Sequence, residues 1–441
     1  MTINKSTQYS NNYHSLVKDY EKYIFKCVSH YYSKPIIVKK AKGSYITDIN
    51  NKEYLDFFGG ILTISLEHCN NTINKSIIKQ INTLGHTSTL YITKNMIKVA
   101  KALANITPGK LEQCFFVNSG TEANETAIML AKIHTKQSEI IALRHSYSGR
   151  SELNTNMTGN LSWRVLPSSI AGIKHAHAPY CYRCPMNLKY PSCDLQCAKD
   201  IKELIETETC GNIAAFIAEP IQGVGGFITP PDDYFLLATN IIKNYGGLFI
   251  CDEVQTGFCR TGKYFFGIEH SKIEPDIMTM AKGIANGIPA GVTIAKHNIA
   301  NSFTSRSICT FGGNPISMKA AEITINIMSK KNIKHHAYFL GKKLKEGLKE
   351  LQKDFQFIGD IRGKGLMLAI ELVKNKKTKE PAEKITNLLM EESKKQSLLL
   401  GKGGLYNNVI RISPPMLISE NEILDGLNKL KISFNKINTK I

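Results

Sequence analysis

The chain has 441 residues, 42% hydrophobic and 21% charged, and a formal net charge of +19, which gives length for two or three domains and the composition of an ordinary globular protein. No apolar run is long enough to cross a bilayer, and the polar first 23 residues, which hold no arginine, fit neither a secretory signal nor a mitochondrial transit peptide, so a cytoplasmic location without a membrane partner is expected. The basic charge is spread along the chain among Asn and Ile, with no helix-turn-helix spacing, aromatic-basic repeat or zinc-finger pattern; it reads as a surface that steers anions, not as a nucleic-acid partner.

Residues 1–55 are polar with short aromatic clusters, and GSYITDINNKEYLDF is predicted to form a β-hairpin around Asn50-Asn51. A long α/β stretch follows and makes 56–314 the expected large domain. FFVNSG is a strand closing on a glycine turn, and TEANETAIMLAKIHT an amphipathic helix with Thr121 and Glu122 in its first turn. EIIALR, NIAAFIAEP and GGLFICDEV are further strands, the last two with apolar runs ending at Glu219 and Asp252. DIMTMAKG leads as a short strand to Lys282, and PAGVTIA follows. Near-continuous apolar runs belong to strands buried on both faces, so an α/β fold with a mostly parallel sheet wrapped by helices is expected. Residues 315–441 open with the helix PISMKAAEITINIMSKK, pass through a strand pair in IGDIRGKGLMLAIELV and end in VIRISPPMLI and a helix. That is a smaller α+β domain, which 1–55 is expected to join. The lysine-rich run at 374–384 reads as a solvated loop.

Eleven cysteines in a non-secreted chain do not suggest a disulfide framework. Cys181, Cys184, Cys193 and Cys197 fall in a Cys-rich insertion over 175–200. CxxC followed by CxxxC has a spacing that could bind zinc; the rival reading is a reduced surface insertion, and no metal is assigned.

In an open α/β sheet, ligands collect at the carboxyl ends of the strands. Here those ends present Ser119-Gly120-Thr121, Arg144 to Tyr147, Glu219, Asp252-Glu253 and Lys282. A lysine amine, a buried acid and a phosphate cradle are the parts of a pyridoxal phosphate (PLP) site, which needs a lysine for its Schiff base, an acid on the pyridine nitrogen and donors for the phosphate. NSGTEAN puts Gly120 where backbone must approach closely, flanked by the Ser119 and Thr121 hydroxyls and by free N–H groups of the following helix. Asp252 ends a buried strand, where a carboxylate is costly unless paired. Lys282, between the small Ala281 and Gly283, should have a lowered pKa that favours its neutral amine. Each signal is common alone; their order, with Glu219, Asp252 and Lys282 about one β-α-β unit apart, is not.

The chain resembles the class III (ω-amino acid) aminotransferases of PLP fold type I. VNSGTEANE, AEPIQGVGG, DEVQTGFCRTG, MTMAKG, TFGGNP and IRGKGLML carry the resemblance, which runs from about Tyr45 to the C-terminal helix. HTSTLYI, the CYRC insertion and LLLGKGGLYNNVIRISPP are most similar to the alanine–glyoxylate aminotransferase 2 branch. The resemblance implies that Lys282 forms the Schiff base and shuttles the proton, with Asp252 on the pyridine nitrogen. Gln255 would lie near the ring 3-hydroxyl, Tyr147 on the ring face, and Ser119, Gly120 and Thr121 at the phosphate. Thr310 would reach the phosphate of a neighbouring subunit, which requires a homodimer with shared sites. Arg411 falls where the class holds the substrate carboxylate, a task suited to a bidentate donor; the alternative is an ordinary salt bridge. Arg150 either touches a carboxylate or braces its loop, and Glu219 either pairs with a site arginine or supports the site. Arg260 and Glu253 read as structural.

Two stretches depart from the family pattern. Tyr147-Ser148-Gly149 stands where members usually read Tyr-His-Gly, and SLEHCNN at 65–71 lacks the usual glycine before the histidine and proline after it. The activity implied is ping-pong transfer of an amino group from an amino acid or ω-amino acid to a small 2-oxo acid such as pyruvate or glyoxylate. Alternatives are an aminomutase or decarboxylating transaminase on the same scaffold, and a non-catalytic basic binding protein.

Overall fold

Short apolar segments become the middle of the central sheet. Ile140–Leu143, Ala215–Ala218, Leu248–Asp252 and Ile277–Met280 are buried along nearly their whole lengths, as strands covered by helices on both faces must be. The computed structural model describes residues 5–439. Its seven-stranded sheet runs Leu111–Val117, Gly291–Lys296, Ile277–Met280, Leu248–Asp252, Ala215–Ala218, Ile140–Leu143, Ile173–Ala176. Gly291–Lys296 is antiparallel to both neighbours, and the remaining pairs are parallel. The α/β class with a mostly parallel sheet therefore stands.

The edge strand Ile173–Ala176 was not foreseen. Lys174 and His175 break its apolar run, and a strand paired on one side only tolerates them. Residues 173–176 belong to the sheet and Gln196–Glu208 is a helix; between them, the only helical turn among the described residues is the short one at Cys181–Arg183.

The helix Gly120–Thr135 lies across this sheet. Ala123, Ala127 and Ala131 recur every fourth residue with no exposure, one face of small side chains that lets helix and strands approach closely. Thr293 Oγ1 donates to Ala123 O at 2.7 Å and so fixes the start of the helix over its strand.

Two smaller sheets flank the large one. The expected hairpin joins Tyr45–Asp48 to Glu53–Asp56; Asp48 Oδ1 accepts from the amides of Asn50 and Lys52, both at 2.9 Å, and Asn51 takes φ +64° in the turn. The C-terminal segment Leu398–Leu399 then pairs with Glu53–Asp56. The expected strand pair is Ile358–Lys364 with Met367–Leu372, extended by Val409–Ile412 and Gly401–Gly403. The chain also forms the helices Lys5–Tyr23 and Ile333–Asp354. Pro315–Lys330 packs on Asn71–Ile81 and Lys94–Ile106 as well as on Ile333–Asp354. Among the described residues no helix is long and apolar enough to cross a membrane.

Arg260 joins three distant segments. It is 2% exposed and donates to Leu366 O at 3.3 Å, to Ile64 O at 3.4 Å and to Pro414 O. Burial lowers its pKa to about 9. Arg260→Met keeps the stem but leaves those carbonyls short of donors, so the cofactor-free protein should lose about 3 kcal/mol of stability, read as a lower urea midpoint; an unchanged midpoint would contradict this role.

Candidate active site

Strand ends and one helix start meet at a cavity of about 150 Å³. Gly120 and Thr121 border it from the helix start, and Tyr147, Ser148 and Gly149 from the loop after Ile140–Leu143. Glu219 follows Ala215–Ala218, Asp252, Val254 and Gln255 follow or end Leu248–Asp252, and Lys282 follows Ile277–Met280. Asn124, one helical turn beyond Gly120, also reaches it.

Asp252 is 5% exposed. Its Oδ1 accepts from Val254 N at 3.0 Å and its Oδ2 from Asn124 Nδ2 at 2.8 Å. Burial raises its pKa, against the pull of these donors and of Lys282. Glu219, 6% exposed, accepts from Tyr147 N at 3.1 Å and Gly223 N at 2.8 Å; burial and then the nearby Asp252 charge raise its pKa. Lys282 has φ +44°. Burial lowers its pKa, and the Arg411 charge adds to this while Asp252 and Glu219 oppose it. The amine is thus neutral at lower pH than an ordinary lysine.

The phosphate-loop residues divide. Ser119 Oγ donates to Glu122 Oε2 at 2.9 Å and accepts Glu122 N at 3.2 Å, so its hydroxyl caps its own helix. Thr121 Oγ1 accepts Arg150 N at 3.2 Å and keeps its own hydrogen for another acceptor. A Cβ on Gly149, which has φ +139°, would stand 2.6 Å from Thr121 Oγ1, so this approach requires glycine. Gln255 is 6% exposed and its Oε1 has no partner; a buried amide oxygen in that state awaits a donor from a bound molecule. Tyr147 is fixed edge-on against Trp163, with ring centroids 5.5 Å apart.

Arg411 is 2% exposed in Val409–Ile412. Its Nε donates to Lys402 O at 3.1 Å, Nη1 to Gly223 O at 3.4 Å and Nη2 to Tyr31 Oη at 3.4 Å. Phe58 and Phe227 cover its faces. No carboxylate among the described residues forms an ion pair with it. The Arg150 side chain and Thr310 are exposed and neither borders the cavity. Glu253, fully buried, accepts from Thr256 Oγ1, from Gly267 N at 2.9 Å and from Ile268 N at 2.8 Å. The four insertion cysteines border one small pocket, yet no group of three or more His, Cys, Asp or Glu among the described residues is arranged to hold a metal.

The departing loop at 65–71 is tied to the turn after Lys282. Ser65 Oγ donates to Gly283 O at 2.8 Å, and Leu66 N to Asn286 Oδ1 at 2.8 Å. Sequence reasoning missed Asn124 and Val254. The one available signal was spacing: Asn124 is four residues past Gly120, hence on the same helical face.

The Aminotransferase class-III family profile matches residues 28–434. The chain belongs to this family. It is 41% identical over 394 residues to the Arabidopsis thaliana protein named alanine–glyoxylate aminotransferase 2 homolog 2, mitochondrial, covering 89% of this chain and 81% of that one. It is 34% identical over 412 residues to a leucine/methionine racemase of Thermococcus litoralis, covering 92% of each. Among solved structures, a Bacillus anthracis aminotransferase superposes with TM-score 0.91 at 31% identity, covering 99% of this chain and 100% of that one. An amine transaminase from an uncultivated Pseudomonas species in PLP-bound form gives 0.88 at 27%, covering 94% and 98%. The protein is therefore an enzyme of the class III aminotransferases, with fold type I and pyridoxal phosphate as cofactor. The cavity border fits that molecule: it offers a primary amine, a buried carboxylate, an amide oxygen without a donor and helix N-terminal N–H groups. The Arabidopsis relative's name places that protein in mitochondria, whereas the cytoplasmic expectation here rests on composition.

Cofactor-free protein mixed with pyridoxal phosphate should gain visible absorbance at a rate that rises with pH, since only the neutral Lys282 amine attacks. The midpoint should lie below the ordinary lysine value of 10.5. Lys282→Ala should show no such pH-dependent gain, and a wild-type rate indifferent to pH would oppose this account.

Proposed function

We propose that the enzyme transfers an amino group from an amino acid or ω-amino acid to a small 2-oxo acid, pyruvate or glyoxylate, in a ping-pong cycle. The observation that carries this reading is Arg411, a buried guanidinium without a carboxylate partner among the described residues, whose charge is felt at the Lys282 amine. A buried charge left in this state is suited to a substrate carboxylate.

Pyridoxal phosphate bound in the cavity would supply a conjugated ring able to take up electron density from the substrate Cα. Lys282 Nζ, whose charged form burial disfavours, would take the proton from Cα and deliver it again. Asp252 would hold the proton on the ring nitrogen. Gln255 Oε1 would accept from the ring hydroxyl, and Tyr147 and Val254 would enclose the ring. The N–H groups at Gly120 and Thr121 and the Thr121 hydroxyl would hold the phosphate, with Ser119 acting as helix cap. Arg411 would fix the carboxylate common to both substrates and so set Cα against Lys282. Arg411→Ala should raise KM for amino acid and oxo acid alike by about tenfold or more while kcat falls less; a fall in kcat alone, with KM unchanged, would remove the clamp.

Amino acid racemisation is a second reading, favoured by the Thermococcus litoralis relative. It differs in where the proton returns. Glycine formed from L-alanine and glyoxylate supports transfer; D-alanine formed without glycine supports racemisation.

We also propose a homodimer with shared sites. Leu90, Tyr91 and Ile92 are strongly exposed, and so are Ile308 and Phe311 on either side of Thr310. His86 and Phe311 touch, with ring centroids 5.2 Å apart, so the segment leading to Leu90 meets the one that carries Thr310, and exposed apolar residues on both are of the kind that a partner covers. Light scattering should give twice the chain mass. Mixed Lys282→Ala and Thr310→Ala subunits should exceed either parent in activity, because one site of the mixed dimer keeps both residues; no gain would sink the shared site.

A further inference from the structure

We infer that Asn124 is a positioning residue that aims the Asp252 carboxylate and keeps it in its hydrogen-bond-accepting form. The inference rests on the cofactor site proposed above and adds a residue to it. Asn124 is 1% exposed. Its Nδ2 donates to Asp252 Oδ2 and to Ser148 O, both at 2.8 Å, and its Oδ1 accepts from Thr279 Oγ1 at 2.7 Å. Thr279 has no exposure and stands opposite Asp252 on the neighbouring strand.

The surroundings leave this amide one orientation. A carboxylate and a carbonyl on one side both require donors, so the NH2 must face them. The Thr279 hydroxyl can donate, and it fits the remaining oxygen. One side chain thereby links the helix after the phosphate loop, the loop bearing Tyr147, the strand ending at Asp252 and the strand leading to Lys282. With Val254 N on the other oxygen at 3.0 Å, both Asp252 oxygens meet donors. A protonated carboxyl would lose one of these bonds, so the arrangement favours the charged form that pairs with a protonated ring nitrogen. Aspartate at 124 would instead place two carboxylates in contact.

The test is a double-mutant cycle on cofactor affinity, read by titrating cofactor-free protein with pyridoxal phosphate. Asn124→Ala should weaken binding about tenfold and move the visible band of the bound cofactor in the same direction as Asp252→Asn. In the Asp252→Asn background, Asn124→Ala should add less than about a twofold change. Unchanged affinity, or the same loss in both backgrounds, would overturn the inference. If Asn124→Ala does not fold, Thr279→Val serves: it removes only the bond that orients the amide. It should weaken binding about threefold in the Asp252 protein and not in Asp252→Asn, and a loss independent of background or no loss would equally overturn it. Wild type that binds no pyridoxal phosphate would instead defeat the cofactor site itself, before any variant is compared.

Discussion

An ionised carboxylate at the end of a strand buried on both faces costs several kcal/mol unless donors meet it. Asp252 is such a group, 5% exposed at the end of Leu248–Asp252. The protein answers with a backbone amide, an asparagine and, across the cavity, a lysine whose own charge burial disfavours. The parallel sheet makes the arrangement possible, because neighbouring parallel strands end on the same side and bring residues far apart in sequence to one edge. Glu219, Asp252 and Lys282 are consequences of that geometry as much as of their own chemistry.

The chain's buried guanidinium groups show how local partners separate roles. Arg362 is saturated: it pairs with Glu371 at 2.6 Å and Asp360 at 2.8 Å. Arg260 spends its donors on carbonyls of three segments and binds them together. Arg411 also has carbonyl and hydroxyl neighbours, all at 3.1 Å or beyond, but it alone of the three acts on the charge of Lys282. Burial and residue type do not distinguish them; their partners do.

The sheet's centre was legible because its strands are unbroken apolar runs, and the hairpin because Asn50-Asn51 sits between two alternating segments. Ile173–Ala176 was not, since an edge strand carries Lys174 and His175 without penalty. The helix Ile333–Asp354 carries a readable signal: Ala337, Leu340, Leu344, Leu348 and Leu351 recur every three or four residues on its buried face. In the site, the lysine, the acid and the glycine loop followed from type and spacing. The engagement of the Ser119 hydroxyl by Glu122 and the contact of Asn124 with Asp252, 128 positions away, did not, because a side chain's orientation is settled only by packing. The role proposed for Thr310 came from the resemblance of TFGGNP and not from residue type or spacing, because it would involve a second chain.

The bonds from Ser65 to Gly283 and from Leu66 to Asn286 make the 65–71 loop and the turn beyond Lys282 one mechanical unit. Loop grafting between relatives is an obvious route to altered substrate range. Here a graft that takes 65–71 alone would strip the support from the backbone next to the reactive amine. The exchangeable module is the loop together with residues 283–286, and engineering that respects this boundary keeps the backbone beside the lysine supported.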